Sequence, residues 1–175
     1  NRDGIDMLSA SGHKIHGPKG SGFLYIKKGV SLSTTVFGGG QESGIRSGTQ
    51  AMPNIAGLLG AVEEMPDLNS ALKSQQELWR YATEQLTATG LVSFNSVEGC
   101  LPYILNISVN HYKSETILHY LESRDIFVSS GSACAKGKKS YVLESIGLDN
   151  HRIDSSIRIS FSRYNNKEDI DNLCE

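Results

Sequence analysis

Residues 11–22 read SGHKIHGPKGSG, a glycine-punctuated loop between two short apolar runs at residues 5–10 and 23–26. Short apolar runs that are rich in β-forming residues predict strands, so we expect a strand on each side of the loop. The loop does not match the phosphate-binding loop of nucleotide enzymes, because Pro18 stands where that motif requires lysine. It also lacks the dinucleotide fingerprint, because Phe23 follows Gly22 directly.

What the loop does offer is chemistry at a strand end, where Ser11, His13 and Lys14 stand together. A hydroxyl, an imidazole and an amine suit a phosphorylated cofactor. Lys14 can form a Schiff base if its pKa is lowered by desolvation or by a neighbouring cation, and His13 would be such a neighbour. The alternative is a solvated turn with a surface lysine.

A second loop runs through residues 38–49 with the sequence GGGQESGIRSGT. Glycines allow positive φ and close approach of the backbone, and loops of this length are often functional. Arg46 and Thr49 would either hold a phosphate or order the loop. A plain surface loop is the alternative, and the residues alone do not decide between them.

A third segment, SSGSACAKGKK at residues 129–139, surrounds Cys134 with small residues. Lys136, Lys138 and Lys139 would favour the thiolate form of this cysteine, which is the nucleophilic form. Cys100 and Cys174 have no such surroundings. We expect no zinc site, because the sequence has no paired cysteines and its histidines are scattered.

Arg158 lies in an alternating stretch, Ile-Arg-Ile-Ser-Phe at residues 157–161, which predicts a half-buried strand. Its guanidinium can grip a substrate carboxylate through two hydrogen bonds. An arginine that merely faces solvent would have the same sequence pattern, so both interpretations stay open.

The remaining chain alternates between helices and strands, which predicts an α/β or α+β fold. Helical spacing predicts one helix from Pro53 to about residue 65 and another at residues 68–88, with a break at Pro66 and a stop at Gly90. We expect strands at residues 91–95, 102–109, 126–129 and 156–161, and helices at residues 113–123, 140–146 and 167–173. A change in composition near residue 52 marks the predicted domain boundary.

Composition excludes several classes of function. Seventeen basic and nineteen acidic residues give a net charge of −2, so the chain has no strong positive electrostatic field that would hold nucleic acid. No apolar run of about 18 residues is present, so we expect no membrane span. Three cysteines in 175 residues do not form a disulfide framework, which indicates a reducing compartment such as the cytoplasm.

Taken in order, four motifs resemble those of the cysteine desulfurases, a family of class-V aminotransferases within the fold-type I pyridoxal-phosphate enzymes. They are the lysine loop at residues 11–22, the second loop at 39–49, the cysteine segment at 129–134 and the arginine strand at 156–160. The cysteine segment is similar to that of the branch that serves iron–sulfur cluster assembly. Two departures, a short segment after Cys134 and Ser162 in place of a common glycine, remove no catalytic group.

The resemblance implies a role for each site residue. Lys14 would bind the pyridoxal phosphate covalently, and Ser11 and His13 would bind its phosphate, with His13 also acting beside the lysine in catalysis. Thr49 would reach the phosphate in the partner subunit of a homodimer. Arg158 would hold the substrate carboxylate.

The implied reaction converts L-cysteine to L-alanine. Cys134 would take up the sulfur as a persulfide and pass it to an acceptor, such as an iron–sulfur scaffold protein.

The resemblance also implies a domain arrangement. We expect the C-terminal part of a longer enzyme: residues 1–52 would end the large cofactor-binding domain, and residues 53–175 would form the linking helix and a small α+β domain. This chain alone is expected to lack desulfurase activity and to bind the cofactor weakly or not at all. The alternatives are another class-V enzyme, such as a selenocysteine lyase or an aminotransferase, and a non-enzymatic module that docks a scaffold protein.

Overall fold

A computed structural model describes residues 4–130 and 140–175 of the chain, which separates into two compact units, Asn1–Pro66 and Asp67–Glu175. Pro66 lies at the division because proline has no N–H with which to continue a helix. The boundary expected near residue 52 concerns the domains of a whole enzyme and stays a prediction.

The first unit contains an antiparallel hairpin of strands β1 (Met7–Ser11) and β2 (Gly22–Ile26), in which Ser11 lies opposite Gly22. Both strands predicted beside the lysine loop are therefore confirmed. Helix α1 (Met52–Glu63) follows the second loop and has its proline in the first turn, where the missing N–H has no intrahelical partner to lose. Gly57 of this helix lies against Pro18 of the lysine loop.

The second unit is built on a three-stranded antiparallel sheet of β3 (Val92–Phe94), β4 (Ile104–Val109) and β5 (Ser156–Ser160). Strand β4 lies in the middle, with Leu105 opposite Ile159 and Ile107 opposite Ile157. Because residues that lie directly opposite each other share a face, these four side chains make one apolar face of the sheet.

Helix α2 (Leu68–Thr89) packs on that face through residues spaced three and four apart: Gln75, Leu78, Ala82 and Leu86 are buried. Asp67 caps the start of this helix, and Gly90 ends it with a φ of 68°. The buried core of the unit joins α2 and the sheet to helices α3 (Ser114–Glu122) and α6 (Lys167–Cys174). Its members are Leu78, Ala82, Leu86, Leu105, Ile107, Val109, Leu121, Ile157, Ile159, Phe161 and Ile170.

Two short helices complete the second unit: α4 (Tyr141–Ser145), which was predicted, and α5 (Asn150–Asp154), which was not. The strand predicted at residues 126–129 is wrong in extent, because only Ser129 forms a β-bridge, with Arg158. Helices and an antiparallel sheet in one unit confirm the α+β expectation for this part of the chain. Within residues 4–130 and 140–175, the helices are too short or too polar to cross a bilayer.

Candidate functional site

The lysine loop begins as a single 3-10 turn, Gly12–Ile15, at the end of β1. Its base is closed by two backbone hydrogen bonds: the Gly12 N–H donates to the Ser21 carbonyl at 2.8 Å, and the Gly17 N–H donates to the Gly12 carbonyl at 2.9 Å. The side chains of His13 and Lys14 are exposed on this turn. The structure thus brings Ser11, His13 and Lys14 together, as the sequence predicts.

Glycine is required where the loop closes. A Cβ on Gly12 would lie 2.3 Å from the Ser21 Oγ, whose hydroxyl already donates to the Pro18 carbonyl at 2.6 Å. A Cβ on Gly22 would lie 2.3 Å from the backbone oxygen of Ala10, which cannot move aside without separating the strands. The glycines of the motif are therefore needed for close approach of the backbone, next to the residues predicted to bind a cofactor.

The donor set of the turn fits pyridoxal phosphate. Ser11 offers a hydroxyl, His13 an imidazole and Lys14 an amine, and the first helical turn contains no acidic residue that would repel an anion. An exposed amine can approach an aldehyde, and hydroxyl and imidazole groups can donate hydrogen bonds to phosphate oxygens.

The second loop is ordered by its own hydrogen bonds. Ser47 is buried and its hydroxyl donates to the Gly39 carbonyl at 2.7 Å, while the Gly48 N–H donates to the Gln41 side-chain oxygen at 3.2 Å. Arg46 donates to the Ser47 carbonyl at 3.0 Å, so it structures the loop. Thr49 is exposed at the end of this loop, and within the described residues no side-chain hydrogen bond joins it to the lysine turn.

Arg158 belongs to the second unit and lies on the polar face of β5, opposite Asn106 of β4. On its other side Ser129 pairs with it: the Arg158 N–H donates to the Ser129 carbonyl at 2.6 Å, and the Ser129 N–H donates to the Arg158 carbonyl at 3.1 Å. The Arg158 Nη2 also donates to the Ser129 Oγ at 3.3 Å. The Nε of Arg158 is buried and has no hydrogen-bond partner in the described parts of the chain.

Sequence reasoning missed the polar network beside Arg158. Asn95 donates to the Asn106 side-chain oxygen at 2.8 Å and to the Ser108 hydroxyl at 2.9 Å. Arg152 donates to the Asn95 side-chain oxygen at 2.5 Å and to the Phe94 carbonyl at 2.7 Å. The network joins Asn106 and Ser108 of β4 to Asn95, which follows β3, and to Arg152 of α5. A polar residue gives no sequence signal for a partner that lies on another element.

Cys134, together with Lys136, Lys138 and Lys139, lies outside the described residues. Of the other two cysteines, Cys174 lies near the end of α6, where burial and the neighbouring Asp171 carboxylate raise the pKa of its thiol. A raised pKa reduces the thiolate fraction at neutral pH, so Cys174 is a poor nucleophile. Its environment supports the expectation that it plays no part in the chemistry.

Comparison with known proteins identifies relatives along the whole chain. Residues 1–173 match the family model described as aminotransferase class-V. A cysteine desulfurase from Nostoc sp. (strain PCC 7120) is 40% identical over 178 residues, which is 98% of this chain and 44% of the relative. The chain therefore spans less than half the length of that relative.

Solved structures agree with the sequence relatives. A NifS-like protein superposes on 98% of this chain and 44% of its own, with a TM-score of 0.84 and 35% identity. SspA in complex with cysteine covers 91% of this chain and 45% of its own, with a TM-score of 0.69 and 34% identity.

Proposed function

We propose that this chain, which belongs to the aminotransferase class-V family, is part of a cysteine desulfurase of the relatives' full length. The cysteine desulfurase homologues in this family depend on pyridoxal phosphate. The proposed enzyme would convert L-cysteine to L-alanine and leave the sulfur on Cys134. The observation that carries the proposal is the short turn at the end of β1 that carries Ser11 at its start and the exposed side chains of His13 and Lys14.

The residues of the first unit would bind the cofactor. The Lys14 amine would bind its aldehyde carbon, and the Ser11 hydroxyl and the His13 imidazole would donate hydrogen bonds to its phosphate. Thr49 would donate to the phosphate in the partner subunit of a homodimer. When bound, the cofactor supplies an electron sink that permits cleavage of the C–S bond of the substrate.

The residues of the second unit would bind the substrate and take the sulfur. The Arg158 guanidinium would orient the carboxylate of L-cysteine. The Cys134 thiolate would attack the substrate sulfur, so that an S–S bond forms as the C–S bond breaks. The carbon released from the sulfur would take a proton, which gives L-alanine. Cys134 would retain a persulfide for transfer.

We also propose a setting for this enzyme. A persulfide must be passed to a second thiol, so a sulfur-acceptor or iron–sulfur scaffold protein would be its partner. Cys134 must be a free thiol at the start of each turnover, and thiols are kept reduced in the cytoplasm, which supports a cytoplasmic location. The structure of SspA in complex with cysteine supports the choice of substrate, because it is the structure of a relative with the proposed substrate bound.

The test uses the full-length enzyme with three single variants. We expect Lys14→Ala to abolish formation of alanine and sulfide from L-cysteine and to lose the absorbance of the bound cofactor. Cys134→Ala should keep that absorbance and lose the persulfide, measured by mass spectrometry of the protein after reaction with L-cysteine. Lys19→Ala is the matched control, since Lys19 is an exposed lysine of the same loop.

The outcomes separate the proposed roles. Alanine formation by Lys14→Ala at the wild-type rate would refute the proposal for the lysine turn. A transamination activity that survives in Cys134→Ala, with no persulfide on the wild-type enzyme, would instead identify an aminotransferase.

A further inference from the structure

We propose that Ser129 is a positioning residue that holds the guanidinium of Arg158 ready for the substrate's carboxylate. The inference rests on the carboxylate-binding role of Arg158 in the proposed function. Ser129 itself would touch neither the substrate nor the cofactor. Its effect would pass entirely through the side chain of Arg158.

Ser129 is fixed to Arg158 by the backbone. The two reciprocal backbone hydrogen bonds of 2.6 and 3.1 Å form an antiparallel bridge, which places the two residues side by side. The Ser129 hydroxyl then accepts from the Arg158 Nη2 at 3.3 Å. Because the bridge fixes the backbone of Ser129 beside Arg158, the hydroxyl is within reach of the guanidinium, and the hydrogen bond between them restricts the rotamers of the long arginine side chain.

The other polar neighbour of Arg158 is already engaged. Asn106 lies directly across the sheet, but its side-chain oxygen accepts from Asn95. The Asn95 side-chain oxygen in turn accepts from Arg152. The side-chain oxygens of Asn95 and Asn106 therefore each have a donor, which fixes the orientation of both side-chain amides. In residues 4–130 and 140–175, the acceptor that holds the Arg158 guanidinium is the hydroxyl of Ser129.

The contact leaves the charge of Arg158 available. The Nε is buried, so a carboxylate must meet the terminal nitrogens, and a guanidinium can bind a carboxylate there through two parallel hydrogen bonds. A serine orients the group without neutralising it, whereas an acidic residue at this position would compete with the substrate. Arg158 forms no ion pair within the described residues, which agrees with a cation kept for an anionic ligand.

The test measures steady-state kinetics of the full-length enzyme with L-cysteine. We expect Ser129→Ala to raise KM roughly 3- to 10-fold, as for a long hydrogen bond to a charged group, with kcat within about twofold of wild type. Ser129→Thr keeps the hydroxyl and should restore KM to within about twofold. Ser123→Ala is the matched control, because its hydroxyl only caps the end of α3 by donating to the Tyr120 carbonyl.

A second measurement isolates the carboxylate. L-Alanine and ethylamine differ by that group alone, and their binding is followed by the absorbance change of the bound cofactor. Ser129→Ala should weaken L-alanine binding by the same factor as KM and leave ethylamine binding unchanged. Equal weakening of both ligands, or no weakening of either, would overturn the positioning role.

Arg158→Ala separates this inference from the function on which it rests. If Arg158→Ala removes the preference for L-alanine over ethylamine and Ser129→Ala does not reduce it, only the positioning role of Ser129 fails. If Arg158→Ala leaves the preference intact, the carboxylate-binding role of Arg158 fails as well, and the inference about Ser129 falls with it.

Discussion

The hairpin of the first unit and the sheet of the second unit differ in what covers their apolar side chains. In the sheet, Leu105 and Ile107 are 0% and 2% exposed beneath the helices of the same unit. In the hairpin, Met7 and Leu8 are adjacent and so point to opposite faces, yet they are 42% and 41% exposed. Within the described residues, the sheet of the second unit therefore has a covered face, whereas the hairpin of the first unit has none.

This difference separates stability from chemistry. Strands with apolar residues on both faces are typical of sheets that are covered on both sides, whereas an isolated two-stranded hairpin is marginal in water. The turn with Lys14 therefore stands on strands that gain little from burial, while Arg158 stands on a strand whose other face is the core. We expect substitutions to be most damaging in the sheet and most local in the hairpin.

The largest effect is expected from Leu105→Ala in the core of the second unit. Removing a fully buried leucine loses transfer free energy and leaves a cavity, which lowers the free energy of unfolding by about 2–5 kcal/mol. Urea unfolding followed by the fluorescence of Trp79, the one tryptophan in the sequence, measures it. Leu101→Ala is the control, because Leu101 is 62% exposed. An equal loss in both variants would mean that the burial of Leu105 beneath the helices adds nothing to stability.

A smaller and more local effect is expected from Gly22→Ala at the end of β2. The new Cβ would meet the backbone oxygen of Ala10 at 2.3 Å, so the strands must separate beside Ser11. A destabilisation of about 1–3 kcal/mol is typical of such overpacking. Hydrogen exchange of the 175-residue chain should then be faster at the β1–β2 amides and unchanged at those of β4.

Gly40→Ala is the matched control for the hairpin, since a Cβ there meets nothing within 4 Å. Faster exchange throughout β4 in Gly22→Ala would contradict the local nature of the hairpin. Unchanged exchange at the β1–β2 amides would mean that the close approach of the two strands has no energetic consequence.

The elements that sequence predicts well are those whose signal is local. Helix α2 follows from apolar residues at helical spacing and from the stop at Gly90, and the structure has it at Leu68–Thr89. The shared turn of Ser11, His13 and Lys14 follows because neighbours in sequence cannot separate. Helix α5 was missed because Ile153 is the one apolar residue among its five, so no apolar spacing marks it. Its local signal is the cap at Asp149, which accepts from the Arg152 N–H.

The surroundings of Arg158 could not be predicted because they depend on contacts between distant residues. Ser129 is 29 residues away in sequence, and Arg152 and Asn95 are 57 apart. Those contacts are fixed by the register of the strands, and a shift of one residue would reverse which side chains share a face. The sequence therefore predicts Arg158 as a candidate but leaves open whether it is a site residue or a solvent-facing one.

The smallest effect concerns Asp67, which caps the helix that covers the sheet and so contributes to the contrast with the hairpin. Its carboxylate accepts from the Ser70 N–H and the Ser70 hydroxyl, both at 2.9 Å, and these bonds lower its pKa below the usual 3.8. A lowered folded-state pKa means that the stabilisation is present above the unfolded-state pKa and is lost as the pH falls through the folded-state pKa.

Asp67→Ala should therefore lower the thermal midpoint at about pH 7 by less than either preceding variant, and the difference from wild type should shrink at about pH 2.5. Asp67→Asn keeps an oxygen that can accept from the Ser70 N–H but cannot titrate, so its midpoint should exceed that of Asp67→Ala by a similar amount at both pH values. Circular dichroism at the two pH values measures all three proteins. A gap between wild type and Asp67→Ala that widens in acid has the wrong sign for a lowered pKa and would contradict stabilisation by the charged form of Asp67.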